Sequence, residues 1–173
     1  INIWRIFRWI GMKIKRKKIL IVVLLLIIIA AVRVYYGNNF IEVSQYTVSS
    51  NEIPTSFKGF KILQLSDLHS KSFGDNNNRL VKKIISENPD IVVMTGDMVN
   101  AKDTDFEVFI SFAEQISKRF DVYYIVGNHE QNLNDNKKKI LIGKLNEVGI
   151  KVLDNEKVAI SRGQDSINLY GLW

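Results

Sequence analysis

An unbroken run of fourteen apolar residues, "ILIVVLLLIIIAAV" at positions 19–32, constrains this chain more than any other feature. Extended through Arg33, whose side chain can reach the interface, the run covers positions 19–36. That length is near the lower limit for a transmembrane helix, which needs roughly 17–25 residues. No polar face interrupts the run, which argues against a helix buried in a protein core. We therefore expect an uncleaved membrane anchor at 19–36, with a cleaved signal peptide as the alternative.

Charge is divided unevenly along the chain. Residues 1–36 hold eight of the 24 Lys and Arg residues and no acidic residue, whereas residues 37–173 hold the other sixteen and all 18 Asp and Glu residues. Because the cations precede the apolar run, the positive-inside rule predicts a basic cytoplasmic segment at 1–18, a single pass through the cell membrane and an extracytoplasmic remainder. That remainder is mildly acidic, so we expect no nucleic-acid partner.

The remainder alternates strand and helix patterns after a linker at 37–57, which becomes strand-like near 41–48. The predicted strands are 60–66, 90–96 and 121–127, and the predicted helices are 78–88, 103–120 and 136–149. Three short strands follow. Asp103, Asp105 and Glu107 are interpreted as the solvated start of the second of these helices. Such alternation predicts an α/β fold with a parallel sheet and right-handed crossovers.

Each of the first three strands ends in side chains that can bind metal. They are Asp67 and His69 in "SDLH", Asp97 and Asn100 in "GDMVN", and Asn128, His129 and Glu130 in "GNHE". Because the carboxyl ends of parallel strands meet at one edge, we expect these residues to converge. Taken singly, the Asp and Asn residues are equally typical of turns and helix caps. Turns alone do not explain why both histidines of the chain fall at strand ends.

The chemistry of this set favours transition metals. Carboxylate, imidazole and amide ligands together suit Mn, Fe or Zn better than Ca or Mg. A carboxylate shared by two cations can hold them roughly 3.5–4 Å apart, which suits displacement at phosphorus. Asp97 is the natural bridge, and Asn128 offers a neutral oxygen to the second ion. Neither a G-x-G-x-x-G nor a Walker A loop occurs, which disfavours a nucleotide-binding module.

In this order, at the ends of successive strands, "D-L-H", "G-D-M-V-N" and "G-N-H-E" resemble the first three motifs of the calcineurin-like metallophosphoesterases. Those motifs are written D-x-H, G-D-x-x-D/N and G-N-H-D/E. The resemblance covers roughly residues 60–173. It implies that a domain at 58–173 forms part of an αββα sandwich, a βαβαβ unit plus short strands. It also implies a hydrolase of phosphoester or pyrophosphate bonds that uses two divalent or trivalent metal ions.

The resemblance also implies roles for individual residues. Asp67 and His69 would bind the first metal, Asp97 would bridge both ions, and Asn128 would bind the second. His129 would be catalytic, contacting the phosphate and protonating the leaving oxygen instead of binding metal. Asn100 and Glu130 would have supporting roles.

Two departures from the family pattern qualify these expectations. The family completes its metal sites with later histidines, including a G-H-x-H motif, and this chain has no histidine after His129. We therefore expect the domain at 58–173 to be incomplete at its C-terminus and the fragment alone to be inactive. The alternative is a non-catalytic, membrane-tethered relative with at most weak metal binding. Ala101 replaces the arginine of protein-phosphatase members, so we expect an anchored bacterial-type phosphohydrolase whose phosphoester substrate can be lipid-linked.

Overall fold

The computed structural model describes the backbone of residues 3–172 and the side chains of residues 16–172. The chain divides into two compact units, one ending at Val43 and the other beginning at Ser44. Helix α1, Ile3–Asn39, makes up most of the first unit. The side chains of the predicted basic segment up to residue 15 lie outside the described part of the chain.

Helix α1 contains a 24-residue stretch, Arg16–Asn39, that is long and apolar enough to cross a membrane by length and composition. At 1.5 Å per residue such a stretch is about 36 Å long, which exceeds the hydrocarbon core of a bilayer at about 30 Å. Its apolar side chains, among them Leu20, Leu26 and Val34, are exposed. The predicted N-terminal apolar helix is therefore confirmed as a helix.

The segment after α1 differs from its prediction. Residues 40–50 form no strand, although the pattern near 41–48 is strand-like. Tyr46 and Val48 are exposed, and no neighbouring strand supplies hydrogen bonds to this segment within the described residues. An apolar pattern without a partner strand is not enough to stabilise a β-strand in water.

The second unit alternates strands and helices as predicted. A 3-10 turn, Thr55–Phe57, precedes the first strand, and another, Asp75–Asn77, precedes the first helix of this unit. The strands are β1 Ile62–Leu65, β2 Ile91–Met94, β3 Asp121–Tyr124, β4 Lys151–Val152, β5 Glu156–Arg162 and β6 Asp165–Gly171. The helices are α2 Asn78–Glu87, α3 Glu107–Ser117, α4 Asn128–Gln131 and α5 Asp135–Glu147.

The first four of these strands form one parallel sheet in the order β1-β2-β3-β4. Leu65 pairs with Met94, and Met94 pairs with Tyr124, so that β1, β2 and β3 end level with one another. Strands β5 and β6 form a separate antiparallel hairpin. The predicted α/β fold with a parallel sheet and short later strands is confirmed.

Apolar side chains cover both faces of the parallel sheet. On one face a cluster joins the sheet to the hairpin; its buried members are Phe57, Ile91, Tyr123, Leu153 and Ile160. Alternate residues of the strands point to the other face, where the ring of Tyr124 lies 5.7 Å from that of Phe109 in α3. Complete burial of an aromatic side chain such as Phe109 stabilises the fold by about 1.5–3 kcal/mol.

Helix α3 begins later than predicted. It starts at Glu107, whose N–H donates to the Asp105 carboxylate at 3.2 Å. Asp103 lies four residues before the helix, and its carboxylate accepts a hydrogen bond from Ser70. The interpretation of Asp103 as part of a solvated helix start is therefore wrong. The reason is a tertiary contact with a residue 33 positions away.

Candidate functional site

The ends of β1, β2 and β3 place the three motifs side by side. Backbone hydrogen bonds join the first two loops: the N–H of Asp67 donates to the Gly96 carbonyl at 3.2 Å, and that of His69 donates to the Asp97 carbonyl at 3.0 Å. The parallel register aligns the third loop next to the second. The predicted convergence of the strand ends follows from this pairing.

Two glycines allow the second and third loops to touch. Gly96 has φ +89°, and a Cβ added there would overlap the backbone of Gly127. A Cβ on Gly127 would in turn overlap the Asp97 carboxylate and backbone nitrogen. The glycines of "GDMVN" and "GNHE" therefore occur where two backbones approach too closely for any side chain.

Four non-glycine residues at this edge have left-handed backbone conformations. They are Asp67, His69, Ser70 and Asp97, with φ between 50° and 56°. Such conformations cost on the order of 1–3 kcal/mol each, and they cluster at functional sites where surrounding structure holds them in place. Here the hydrogen bonds between the first two loops hold them.

Three of the predicted site residues form a group that could hold a metal ion. His69, Asp97 and His129 offer ligand atoms that all lie within 4.8 Å of one another. The two imidazole rings are edge to face, with centroids 4.6 Å apart. Each of the three comes from a different strand end. The group includes His129, which the family resemblance implies is catalytic and not a ligand, and it does not include the expected ligand Asp67.

Asp67 lies outside this group, but its carboxylate and the His69 ring are spaced like two ligands of one metal ion. Asp67 Oδ1 lies 3.7 Å from His69 Nε2, close to the roughly 3.4 Å that separates two ligands of a tetrahedral ion such as Zn²⁺. The Nδ1 atom of His69 is buried and has no hydrogen-bond partner among the described residues. Asn128 is exposed and begins α4, directly after Gly127.

Backbone contacts orient His129 relative to Asp97. The N–H of His129 donates to Asp97 Oδ1 at 2.9 Å. The Nδ1 atom of its ring accepts a hydrogen bond from the N–H of Ala101 at 3.3 Å. The ring of His129 is thus held by the loop after β2, although His129 itself follows β3.

Glu130 is fully buried beneath the loops, and its carboxylate accepts four backbone hydrogen bonds. The donors are Asp97 at 2.8 Å, Met98 at 2.7 Å, Val99 at 3.1 Å and Gly127 at 2.8 Å. A buried carboxylate is stable only when its oxygens are satisfied in this way. Glu130 therefore holds the loop that carries Asp97, a structural contact of the kind expected for a supporting residue.

Tyr124 lies at the end of β3 with its hydroxyl buried. Burial raises the pKa of Tyr124 far above its usual range, and the negative charge of Glu130 raises it further. The phenol is therefore neutral at neutral pH. The Tyr124 side chain fills space beneath the site and adds no charge to it.

The side chains of Asn100 and Asp103 connect the loop after β2 to the loop after β1. The side-chain amide of Asn100 donates to the His69 carbonyl at 3.0 Å. One oxygen of Asp103 accepts hydrogen bonds from the Ser70 hydroxyl at 2.5 Å and from the Asn100 N–H at 2.8 Å. Partial burial alone would raise the pKa of Asp103, but these hydrogen bonds outweigh it and the pKa of this carboxyl is lowered.

Ser70 and Asp103 were not among the residues that the motifs identified. Both lie just outside motif positions, and their partners are distant in sequence. The sequence carried no signal for them, because the predicted helix began at residue 103 and made Asp103 a helix start, whereas α3 begins at Glu107.

Comparison with known proteins agrees with this geometry. The sequence profile of the calcineurin-like phosphoesterase family matches residues 60–172. An uncharacterized metallophosphoesterase of Campylobacter jejuni is 29% identical over 123 residues, which are 70% of this chain and 32% of that protein. The uncharacterized metallophosphoesterase YkuE of Bacillus subtilis is 31% identical over 100 residues, 56% of this chain and 35% of that protein.

A Bos taurus protein named transmembrane protein with metallophosphoesterase domain is also similar. It is 26% identical over 121 residues, which are 69% of this chain and 27% of that protein. The chain thus spans about a third of the length of each of these three relatives. The family profile matches more than half of the chain and includes all three strand-end motifs. The chain therefore belongs to the calcineurin-like phosphoesterase family.

Proposed function

We propose that this chain carries the first part of a dinuclear metal site that hydrolyses phosphoester or pyrophosphate bonds. The observation that supports this most is the group formed by His69, Asp97 and His129, which come from three strand ends. Family membership supports metal-dependent hydrolysis as the reaction class. Because the chain spans about a third of its relatives, the activity and substrates of the whole protein are part of the proposal.

The proposed metal ligands are those that the family motifs and their donor chemistry suggest. Asp67 and His69 would hold one ion, Asp97 would bridge, and Asn128 would hold the second ion; Mn, Fe or Zn suits this mixture. Bound ions would supply an acidified water and neutralise charge on the phosphoryl oxygens. The hydrogen bond from the His129 N–H to Oδ1 orients the Asp97 carboxylate for this task.

His129 would contact the phosphoryl group and give a proton to the leaving oxygen. Its backbone and its ring are both held by the loop that carries Asp97, so it is fixed relative to the bridging carboxylate. Its ring also lies close enough to His69 and Asp97 to be a third ligand. The experiments below separate these two roles.

We also propose that α1 anchors the protein in the cell membrane through 19–36, with a cytoplasmic N-terminus and an extracytoplasmic phosphoesterase domain. The apolar length of the helix supports this, and so does the Bos taurus relative named as a transmembrane protein. A site tethered at a bilayer would meet phosphoesters of lipids as well as soluble ones, so the substrate class includes lipid-linked phosphates.

Replacement of the bridging carboxylate tests the metal site. In the natural protein that carries this sequence, Asp97→Asn should abolish both bound metal and hydrolysis of bis(p-nitrophenyl) phosphate with Mn²⁺. The amide can still accept the hydrogen bond from His129, so the fold should persist. Asp154→Asn, an exposed change in the loop before β5, should leave both quantities unchanged. Full activity in Asp97→Asn would refute the bridging assignment.

His129→Ala separates catalysis from ligation. As a general acid, His129 contributes about 10²–10⁴-fold to turnover, so kcat should fall by that factor while metal content, measured by mass spectrometry of the protein, is retained. Loss of metal from this variant would instead identify His129 as a ligand.

A further inference from the structure

A tight turn at 100–103 links the three loops of the site. Its backbone hydrogen bond runs from the Asp103 N–H to the Asn100 carbonyl at 3.0 Å. The Asp103 carboxylate closes the same turn by accepting from the Asn100 N–H at 2.8 Å. Through Ser70 it also joins the turn to the loop after β1.

The backbone N–H of Ala101 projects from this turn onto the ring of His129. It donates to Nδ1 at 3.3 Å. A neutral imidazole has one protonated and one unprotonated nitrogen, so a hydrogen bond accepted at Nδ1 places the proton on Nε2. A ring in that tautomer presents a donor at Nε2 and has no lone pair there for a metal ion.

The Asp103 carboxylate can close the turn at 100–103 because it does not cap a helix. The N–H of the first residue of α3, Glu107, is satisfied by Asp105 instead. Asp103 is half-buried, and its backbone carbonyl accepts a hydrogen bond from Lys137 of α5 at 2.8 Å. The turn is therefore held on both sides, by Ser70 through the Asp103 side chain and by α5 through its backbone.

We infer that Asp103 is a positioning residue, whose carboxylate fixes the turn at 100–103 so that the Ala101 N–H holds His129 as an Nε2 proton donor. The structural part of this inference is independent of the reaction. Its consequence for rate rests on the proposed function, in which His129 donates a proton to the leaving oxygen.

Nuclear magnetic resonance of the full chain in detergent micelles tests the structural part. The chain has two histidines, so ¹⁵N-histidine labelling gives two ring systems, and His129→Ala assigns them. In metal-free protein at pH 8 we expect His129 wholly in the Nε2–H tautomer. In Asp103→Ala, which removes the accepting oxygen, we expect a mixture of tautomers and at least tenfold faster amide exchange at Ala101. Asp105→Asn, an exposed change in the same loop, should match the wild type.

An Nδ1–H tautomer in the wild type, or unchanged ring shifts and exchange in Asp103→Ala, would overturn the inference. If Asp103→Ala does not fold, Ser70→Ala removes one donor to the same oxygen and should move both signals in the same direction by less. No change in folded Ser70→Ala would then count against the inference.

Kinetics of the natural protein tests the consequence. Asp103→Ala should lower kcat about tenfold with KM and metal content unchanged, whereas a merely destabilised fold would lose metal and activity in parallel. If the variant changes the tautomer of His129 but even the wild type shows no hydrolase activity, the proposed function is rejected. The positioning role of Asp103 would still stand in that case.

Discussion

Glu130 places a fully buried carboxylate among four backbone N–H groups, and one of these is the N–H of Asp97. Three of its donors belong to the loop after β2, 31 to 33 residues earlier in the chain. The motif "GNHE" indicates an acidic residue in a supporting role but not its partners. Sequence spacing cannot show them, because the hydrogen bonds form only when two strand ends meet.

Glu130→Gln should destabilise the domain strongly. The amide group replaces one acceptor oxygen with a donor that faces N–H groups, and each buried N–H left without an acceptor costs about 1–3 kcal/mol. We expect the free energy of unfolding to fall by on the order of 2–4 kcal/mol and amide exchange at Met98 and Val99 to accelerate. Glu147→Gln, an exposed change at the end of α5, is the matched control. Equal thermal midpoints for the two variants would contradict this role.

At the scale of elements, the parallel sheet brings the site residues together because β1, β2 and β3 end at paired residues along one edge. The register of β1, β2 and β3 puts the residue types of the motifs at one edge. The close approach of Gly96 to Gly127 then allows the loops after β2 and β3 to pack backbone against backbone. The first step was predicted from the strand-helix alternation. The second was not, because glycines before Asp97 and Asn128 are equally typical of ordinary turns.

Gly96→Ala should disrupt this packing. The new Cβ would overlap Gly127 and would also sit at φ +89°, a conformation that costs about 1–2 kcal/mol for an ordinary residue. Gly163→Ala isolates the second effect, because Gly163 has φ +66° and no atom within 4 Å of an added Cβ. We expect chemical denaturation to show that Gly96→Ala is less stable than Gly163→Ala by about 3 kcal/mol or more. Similar losses in both variants would mean that the loops separate at little cost.

At the scale of the whole molecule, the apolar helix and the phosphoesterase domain are two units with different surfaces. The first exposes apolar side chains from Ile19 to Val34, a range interrupted by Arg33, and the second buries its apolar side chains around a sheet. A surface of the first kind is stable in lipid and not in water. The arrangement suits a hydrolase domain tethered to a bilayer.

Membrane fractionation tests this arrangement. The chain should remain with membranes after an alkaline carbonate wash, and a variant without residues 1–36 should be released. Protease added to intact spheroplasts should cleave the exposed segment at 40–53 if the domain lies outside the cytoplasm. Cleavage only after lysis would reverse the proposed orientation, and release of the unaltered chain by carbonate would reject the anchor.

The amino-acid sequence by itself determined the apolar helix, the strand-helix alternation and the residue types at the strand ends. These features depend on local pattern: the length of an apolar run, the spacing of apolar residues and the glycines that end strands. Family membership follows from the same local motifs.

Only the tertiary structure decided how the loops are held. In the structure the Glu130 carboxylate accepts hydrogen bonds from four backbone amides. The Asp103 carboxylate accepts a hydrogen bond from Ser70 and does not cap α3, and residues 41–48 have no partner strand among the described residues. In each case the deciding contact, or its absence among the described residues, concerns groups far apart in the chain. A hydrogen bond between residues some thirty positions apart depends on packing that no local pattern encodes.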